Sequence, residues 1–198
     1  MGPRFRPHFE TLHVLFLMVW LCMLFGAGMG AAVAFPQIKK LDPALPEYAS
    51  FTGEHWRIAG GHIGNTLFVI ADKAQSISAI GALLTLGLVM KARGLTAARG
   101  YAVARVVLLG LATAIAIYHV FVLSPKMMST IQEFWAAARA GDMAKATPLQ
   151  ATFDSYHPAS RLTLESTWVT LVIALLVSVF DAARGPAVVT AEPSTRRT

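Results

Sequence analysis

Four long apolar segments constrain this chain more than any other feature. They run roughly from Leu12 to Phe35, from Ala74 to Met90, from Tyr101 to Leu123, and from Thr167 to Phe180 with its apolar flanks. About 20 predominantly apolar residues, rising about 1.5 Å each, cross the hydrocarbon core of a bilayer. No water is available there, so every backbone amide must be paired within the segment, and each segment is a helix. The expected fold is an all-α integral membrane four-helix bundle, with spans near 12–35, 62–90, 101–123 and 163–183. Residues 1–185 form one transmembrane domain, and 186–198 read as a polar, disordered tail. Composition supports this, because only 14% of the 198 residues are charged against about 25% in a soluble domain. A soluble fold of this length would lack a polar coat.

The net charge of +6 is informative only by position. The side holding the N-terminus, the second loop and the tail carries nine basic residues against three acids, and the other side carries eight of each. Lys91, Arg93 and Arg99 crowd the short second loop, whereas the opposite loops are long. Basic density beside the spans sets orientation, so both termini are expected in the cytoplasm of a multi-pass plasma-membrane protein. The basic residues form no stripe with interleaved aromatics, which argues against nucleic acid as a partner. The lipid bilayer is the expected partner.

Arg4 and Arg6 followed by an apolar run and Ala32-Val33-Ala34 resemble a signal peptide with a cleavage site. The run is about twice the usual 7–15 residues, and Pro36 would fall just past the cut, so a retained helix is the expectation. Met1-Gly2 is not a myristoylation signal, because Arg6 stands where Ser or Thr is needed. The single cysteine, Cys22, lies inside the first segment, where it is expected to be buried packing rather than a reactive thiol.

Segment one is expected to end at Phe35-Pro36, with an outer loop rich in turn-formers to about Phe51 and a short helix near 44–50. Helical sequence from Ile58 to Met90 is about 50 Å long, well beyond a hydrocarbon core of about 30 Å. Helix two therefore either projects from the membrane or breaks at Gly60-Gly61. Ser124-Pro125 should end helix three. Met128, Ile131, Phe134 and Trp135 mark an extra amphipathic helix over 127–140, lying on the outer membrane surface or over the bundle. Gly141-Asp142 should close it, and helix four should begin near Pro158.

Several polar constellations stand out. Gly26, Gly28 and Gly30, with Ala27 and Ala31, give segment one a small-residue face for helix packing. Intramolecular contact involving Gly26 and Gly30 is the first reading, and a homo-oligomer the second. His62, Asn65, Thr66, Asp72, Lys73 and Ser76 share one side of helix two. Ionisable groups at membrane depth are costly and are often functional, which makes Asp72 a candidate proton or cation site. The alternative is that Asp72 and Lys73 sit above the bilayer and are merely solvated. Arg161 and Glu165, one turn apart, should form a local ion pair. Together His62, His119, His157, Arg161 and Glu165 are expected to form one polar cluster closing the outer end. Histidines 55, 62, 119 and 157 map to the same side and could hold a metal or a haem. The sequence has no HExxH, no CxxC and no histidine pair at i, i+4, so neither a metal nor another cofactor is expected.

The order of features resembles a known family. The features are the glycine-rich first helix ending in Phe35-Pro36, Ala59-Gly60-Gly61-His62-Ile63 before Leu67-Phe68, Leu123-Ser124-Pro125-Lys126-Met127, and Phe153-x-x-x-His157-x-x-Ser160. Over about residues 11–183 the chain is similar to the four-helix membrane family of unknown function that includes transmembrane protein 205. The resemblance implies a four-helix integral membrane protein with Pro125, Phe153, His157 and Ser160 at pattern positions. It also implies an association with drug and metal-compound tolerance. Asp72-Lys73, the long first outer loop and the basic tail depart from that pattern. A second resemblance, to anthrone-oxygenase-like four-helix proteins, rests on a histidine before the last helix. The expected function is a non-enzymatic membrane component, transport-like or concerned with tolerance. The alternative is a membrane oxidoreductase or oxygenase using a metal or haem held by outer-face histidines.

Overall fold

A computed structural model describes residues 6–93 and 99–183. The elements are α1 (Arg6–Leu41), a 3-10 turn (Pro46–Tyr48), α2 (His55–Arg93), α3 (Arg99–Tyr118), a π turn (His119–Leu123), α4 (Ser124–Arg139) and α5 (Met143–Ala183). Among the described residues there is no strand, and the fold is the all-α bundle expected. Four helical stretches are long and apolar enough to cross a membrane, so this is a multi-pass integral membrane protein. The centre of the second loop, 94–98, and the tail expected to be disordered lie outside the described residues.

The rods are about twice as long as a bilayer needs. At about 1.5 Å per residue, α1, α2, α5 and the continuous α3–α4 run are each about 54–62 Å long. Apart from Leu41 at the end of α1, the exposed large apolar side chains fall on one part of each rod: Leu12–Val33, Ile63–Leu84, Val103–Val122 and Leu162–Phe180. These intervals are about 27–32 Å of helix, matching a hydrocarbon core. Beyond the band the α3–α4 run and α5 extend about 25–28 Å at the end opposite the termini, here called the capped end, while α1 and α2 extend about 9–14 Å at both ends.

Two cores follow from this division. Inside the band, Leu17, Trp20 and Leu24 of α1 pack with Ala82 and Leu86 of α2, Leu109 and Ala112 of α3, and Leu171 of α5. Beyond it, Tyr48, Phe51 and Ile58 meet Ile131, Phe134, Trp135 and Ala138 of α4 and Ala146 of α5. The amphipathic helix thus lies over the bundle and not flat on the membrane. Around the axis α1 packs on α2 and α5, and α3 packs on α5 and α2, which sets α2 and α5 diagonally opposite.

Several helix ends differ from the sequence reading. Helix α1 continues through Pro36 to Leu41, where Asp42 takes a left-handed φ of 42° and its amide reaches the Ile38 carbonyl at 3.1 Å. Helix α2 does not break at Gly60-Gly61. An added Cβ at Gly60 would lie 3.6 Å from the Phe35 ring and one at Gly61 3.4 Å from Trp135, so these glycines serve close packing. Helix α5 begins at Met143, not near Pro158, and carries Pro148 and Pro158 inside it. Packing of its first turns against α4 outweighs the backbone cost of an interior proline, about 3 kcal/mol. Gly141, with φ +72°, makes the α4–α5 corner and closes α4 as expected.

The packing expectations on segment one also change. Cys22 is exposed on the lipid side and not buried. A Cβ at Gly26 would meet nothing within 4 Å, while one at Gly30 would lie 3.5 Å from Leu67 of α2. Helix α1 meets its neighbours through Leu17, Trp20 and Leu24 and, of the small residues, through Ala27 and Ala31. Only Gly30 of the two named glycines touches another helix, because α1 is rotated to bury its larger side chains.

Candidate functional site

Pro125 organises the site. It has no N–H to donate and its ring would clash one turn back, which should stop a regular helix. The chain widens for one turn instead, and the Ser124 amide donates to the His119 carbonyl across the π turn. Such π turns are rare and often occur at functional positions. This one turns His119 and Ser124 together toward α2, where both meet Asp72.

Asp72 is almost fully buried. Its Oδ1 accepts from Gln75 Nε2 at 2.8 Å, and its Oδ2 accepts from Ser124 Oγ at 2.7 Å. His119 Nε2 stands 3.6 Å from Oδ1, and His119 Nδ1 lies 2.8 Å from Thr163 Oγ1 of α5. The Thr163 hydroxyl donates to the Ser160 carbonyl at 2.8 Å. The Thr163 oxygen must therefore accept, and His119 Nδ1 carries a proton. That leaves Nε2 facing a carboxylate. A proton arriving between the two would have both a nitrogen lone pair and a carboxylate oxygen to receive it. At 3.6 Å the contact is longer than a hydrogen bond, so the imidazole stands beside the carboxylate without bonding to it.

Depth gives this pair its significance. Counted along the helices from the terminal edge of the lipid-facing band, Asp72, His119 and Thr163 lie about 18–26 Å in. The site is therefore within the apolar band, in its capped half. Helix α2 does project beyond the membrane, but Asp72 is not in the projecting part. Lys73 is exposed between the lipid-facing Ile70 and Ile77. Its side chain leans toward the helix N-terminus, which lets the ammonium snorkel to the capped surface.

The other expected site residues are distributed over separate places. His62 stacks on Trp135, with ring centroids 3.8 Å apart, and lies 3.3 Å from the Tyr48 hydroxyl. Asn65 is half-buried on α2, about two turns from Asp72. His157 is exposed, edge-on to Phe153 with centroids 4.8 Å apart. Arg161 and Glu165 pair with each other at 2.6 Å in full exposure. Of the five residues expected to close the outer end, only His119 joins a buried network. The reason is α5: it is helical well beyond Pro158, which puts His157 and Arg161 on its outer side. His55 caps structure, accepting from the Leu45 amide at 3.0 Å and donating to the Phe51 carbonyl at 2.9 Å.

A second buried cluster escaped the sequence reading. Arg105 of α3 is 1% exposed and forks onto Glu10 of α1 at 2.8 and 3.3 Å. It also reaches Asp181 of α5 at 2.9 Å. His13, one turn from Glu10, is 1% exposed, with Nδ1 3.1 Å from the Ala82 carbonyl and Nε2 3.4 Å from Ser178 Oγ. This cluster lies at the terminal edge of the band. Its signal was present: opposite charges near the ends of three apolar segments are expected to pair. Gln75, Ser124 and Thr163 gave no signal, since hydroxyls and amides in helices are common.

Among the described residues no three His, Cys, Asp or Glu side chains converge so as to hold a metal ion. Comparison with family models, curated proteins and solved structures finds no match to this chain.

Proposed function

We propose that this membrane protein is a small transporter-like component in which the Asp72–His119 pair binds and releases a proton. One observation carries the reading: a buried carboxylate inside the lipid-facing band, bonded by Gln75 and Ser124 and faced at 3.6 Å by a buried imidazole. Burying such a pair costs several kcal/mol per ion unless good geometry offsets it. A purely structural contact at this position could be made by apolar side chains at lower cost. The same proposal includes membership of the family of transmembrane protein 205, a tolerance-related role, and both termini in the cytoplasm. A metal or haem oxidoreductase gains no support from the scattered histidines.

The test uses purified protein in liposomes with a pH-sensitive dye inside and an imposed potassium diffusion potential. Wild-type vesicles are expected to take up protons faster than empty ones, and Asp72→Asn and His119→Gln are expected to lose that uptake. Uptake unchanged in Asp72→Asn would overturn the assignment.

A further inference from the structure

The polar groups between the two clusters have a pattern of their own. Helices α2 and α5, opposite each other across the bundle axis, turn hydroxyl and amide side chains inward. On α2 these are Gln75, Ser78 and Thr85, and on α5 Thr167, Thr170 and Ser178, all buried. They start one turn inside the Asp72–His119 site and end at His13 and Asp181. Several bond to their own helix: Thr167 to the Thr163 carbonyl, Thr170 to Ser166, and Thr85 to Gly81. Each such hydroxyl oxygen keeps acceptor capacity.

Four buried polar atoms along this interval have no hydrogen-bond partner among the described residues: Gln75 Oε1, Trp20 Nε1, Thr113 Oγ1 and Arg105 Nε. Trp20 is 0% exposed and Gln75 1%. Trp20 lies about 10 Å along α1 from His13, and Thr113 about 9 Å along α3 from His119, so both fall between the clusters. Leaving such an atom dry costs about 1–3 kcal/mol. Gln75–Ser78 and Thr167–Thr170 are one turn, about 5–6 Å, apart, a gap that one water bridges. Ser78–Thr85 and Thr170–Ser178 are two turns, about 10–12 Å, apart and need a chain of waters. Buried waters occupy sites of this kind, with two to four polar partners each.

We infer that the inward faces of α2 and α5 form a hydrated track carrying protons between the Asp72–His119 site and His13 at the terminal end. The inference rests on the proton-site reading and adds the route and the side of entry. His13 is the gate residue. Its Nδ1 must donate to the Ala82 carbonyl, so its Nε2 turns a lone pair toward Ser178 Oγ. The charged groups around it are Glu10 from α1, Arg105 from α3 and Asp181 from α5, while among the described residues α2 presents Thr85 and the Ala82 carbonyl. A proton taken at His13 Nε2 passes through waters beside Ser78 and Thr113 to the Gln75 amide level. It then reaches the Asp72 carboxylate, and the capped end receives the proton that His119 releases.

Two measurements on the full chain test this. In the liposome assay, the double variant Ser78→Val with Thr113→Val replaces two polar groups of the track by apolar methyls and is expected to lose proton uptake. Lipid-facing Cys22→Ser is expected to match wild type. Separately, the Trp20 indole N–H, assigned by nuclear magnetic resonance with Trp20→Phe, is expected to exchange in heavy water much faster than its own backbone amide. Wild-type uptake in the double variant, or an indole as protected as that amide, overturns the track. If Asp72→Asn abolishes uptake in either case, the proton site stands without it. If Asp72→Asn retains uptake, the site reading fails, and the indole exchange still decides whether the bundle interior is wet.

Discussion

The bond from Ser124 to Asp72 gives a quantitative test of the charge assigned to the site. At 2.7 Å it has the length of a hydroxyl donating to a carboxylate. Hydrogen bonds to charged groups contribute about 1.5–3 kcal/mol, whereas bonds between helices in a membrane bundle average about 0.6 kcal/mol. The double-mutant cycle of Asp72→Ala and Ser124→Ala separates these cases. Asp72→Ala alone should cost about 2–6 kcal/mol, because it leaves Gln75 Nε2 and Ser124 Oγ without their acceptor at about 1–3 kcal/mol each. Ser124→Ala alone should cost about 1.5–3 kcal/mol. If the carboxylate is charged, the two are strongly non-additive, with a coupling of about 1.5 kcal/mol or more, roughly a tenfold change in the unfolding equilibrium. The assay is reversible unfolding in mixed micelles, following helicity as denaturing detergent is added. A coupling of about 0.6 kcal/mol or less would refute the reasoning. Asp72 would then be neutral, or water would replace the bond.

Three further outcomes are expected. Phe134→Ala, at a side chain 1% exposed and edge-on to Phe51, should destabilise the capped layer by about 3–5 kcal/mol, while lipid-facing Val107→Ala stays within about 0.5 kcal/mol; limited proteolysis of the capped end should show the same ranking. At Gly64, an added Cβ would stand 2.9 Å from the Phe35 ring, so Gly64→Ala should lose about 1–3 kcal/mol to overpacking against a helix-propensity gain of about 1 kcal/mol. In a Phe35→Ala background the same change should become stabilising, measured as a rise in thermal midpoint in detergent. The exposed Arg161–Glu165 pair should show a coupling of about 0.5 kcal/mol or less that vanishes in high salt.

The class of this protein was legible from local properties. Segment length, apolar composition and the need to pair backbone amides in lipid require no knowledge of which helix meets which. The amphipathic pattern of α4, its glycine stop and the excess length of α2 were legible for the same reason. The site was half legible. Asp72 and His119 announced themselves as costly groups in apolar surroundings, and Arg105, Glu10 and Asp181 carried the same signal, unread. Tertiary packing alone decided the rest. It carried helices through Pro36, Pro125 and Pro158, because burial along a neighbouring rod outweighs a lost backbone bond. It also turned Gly26 and Cys22 to the lipid. Most of all, the one-turn widening before Pro125 set the rotation that brings Ser124 and His119 to Asp72. Periodicity along one helix cannot report that rotation, because it depends on the depth and phase at which α2, α3 and α5 meet.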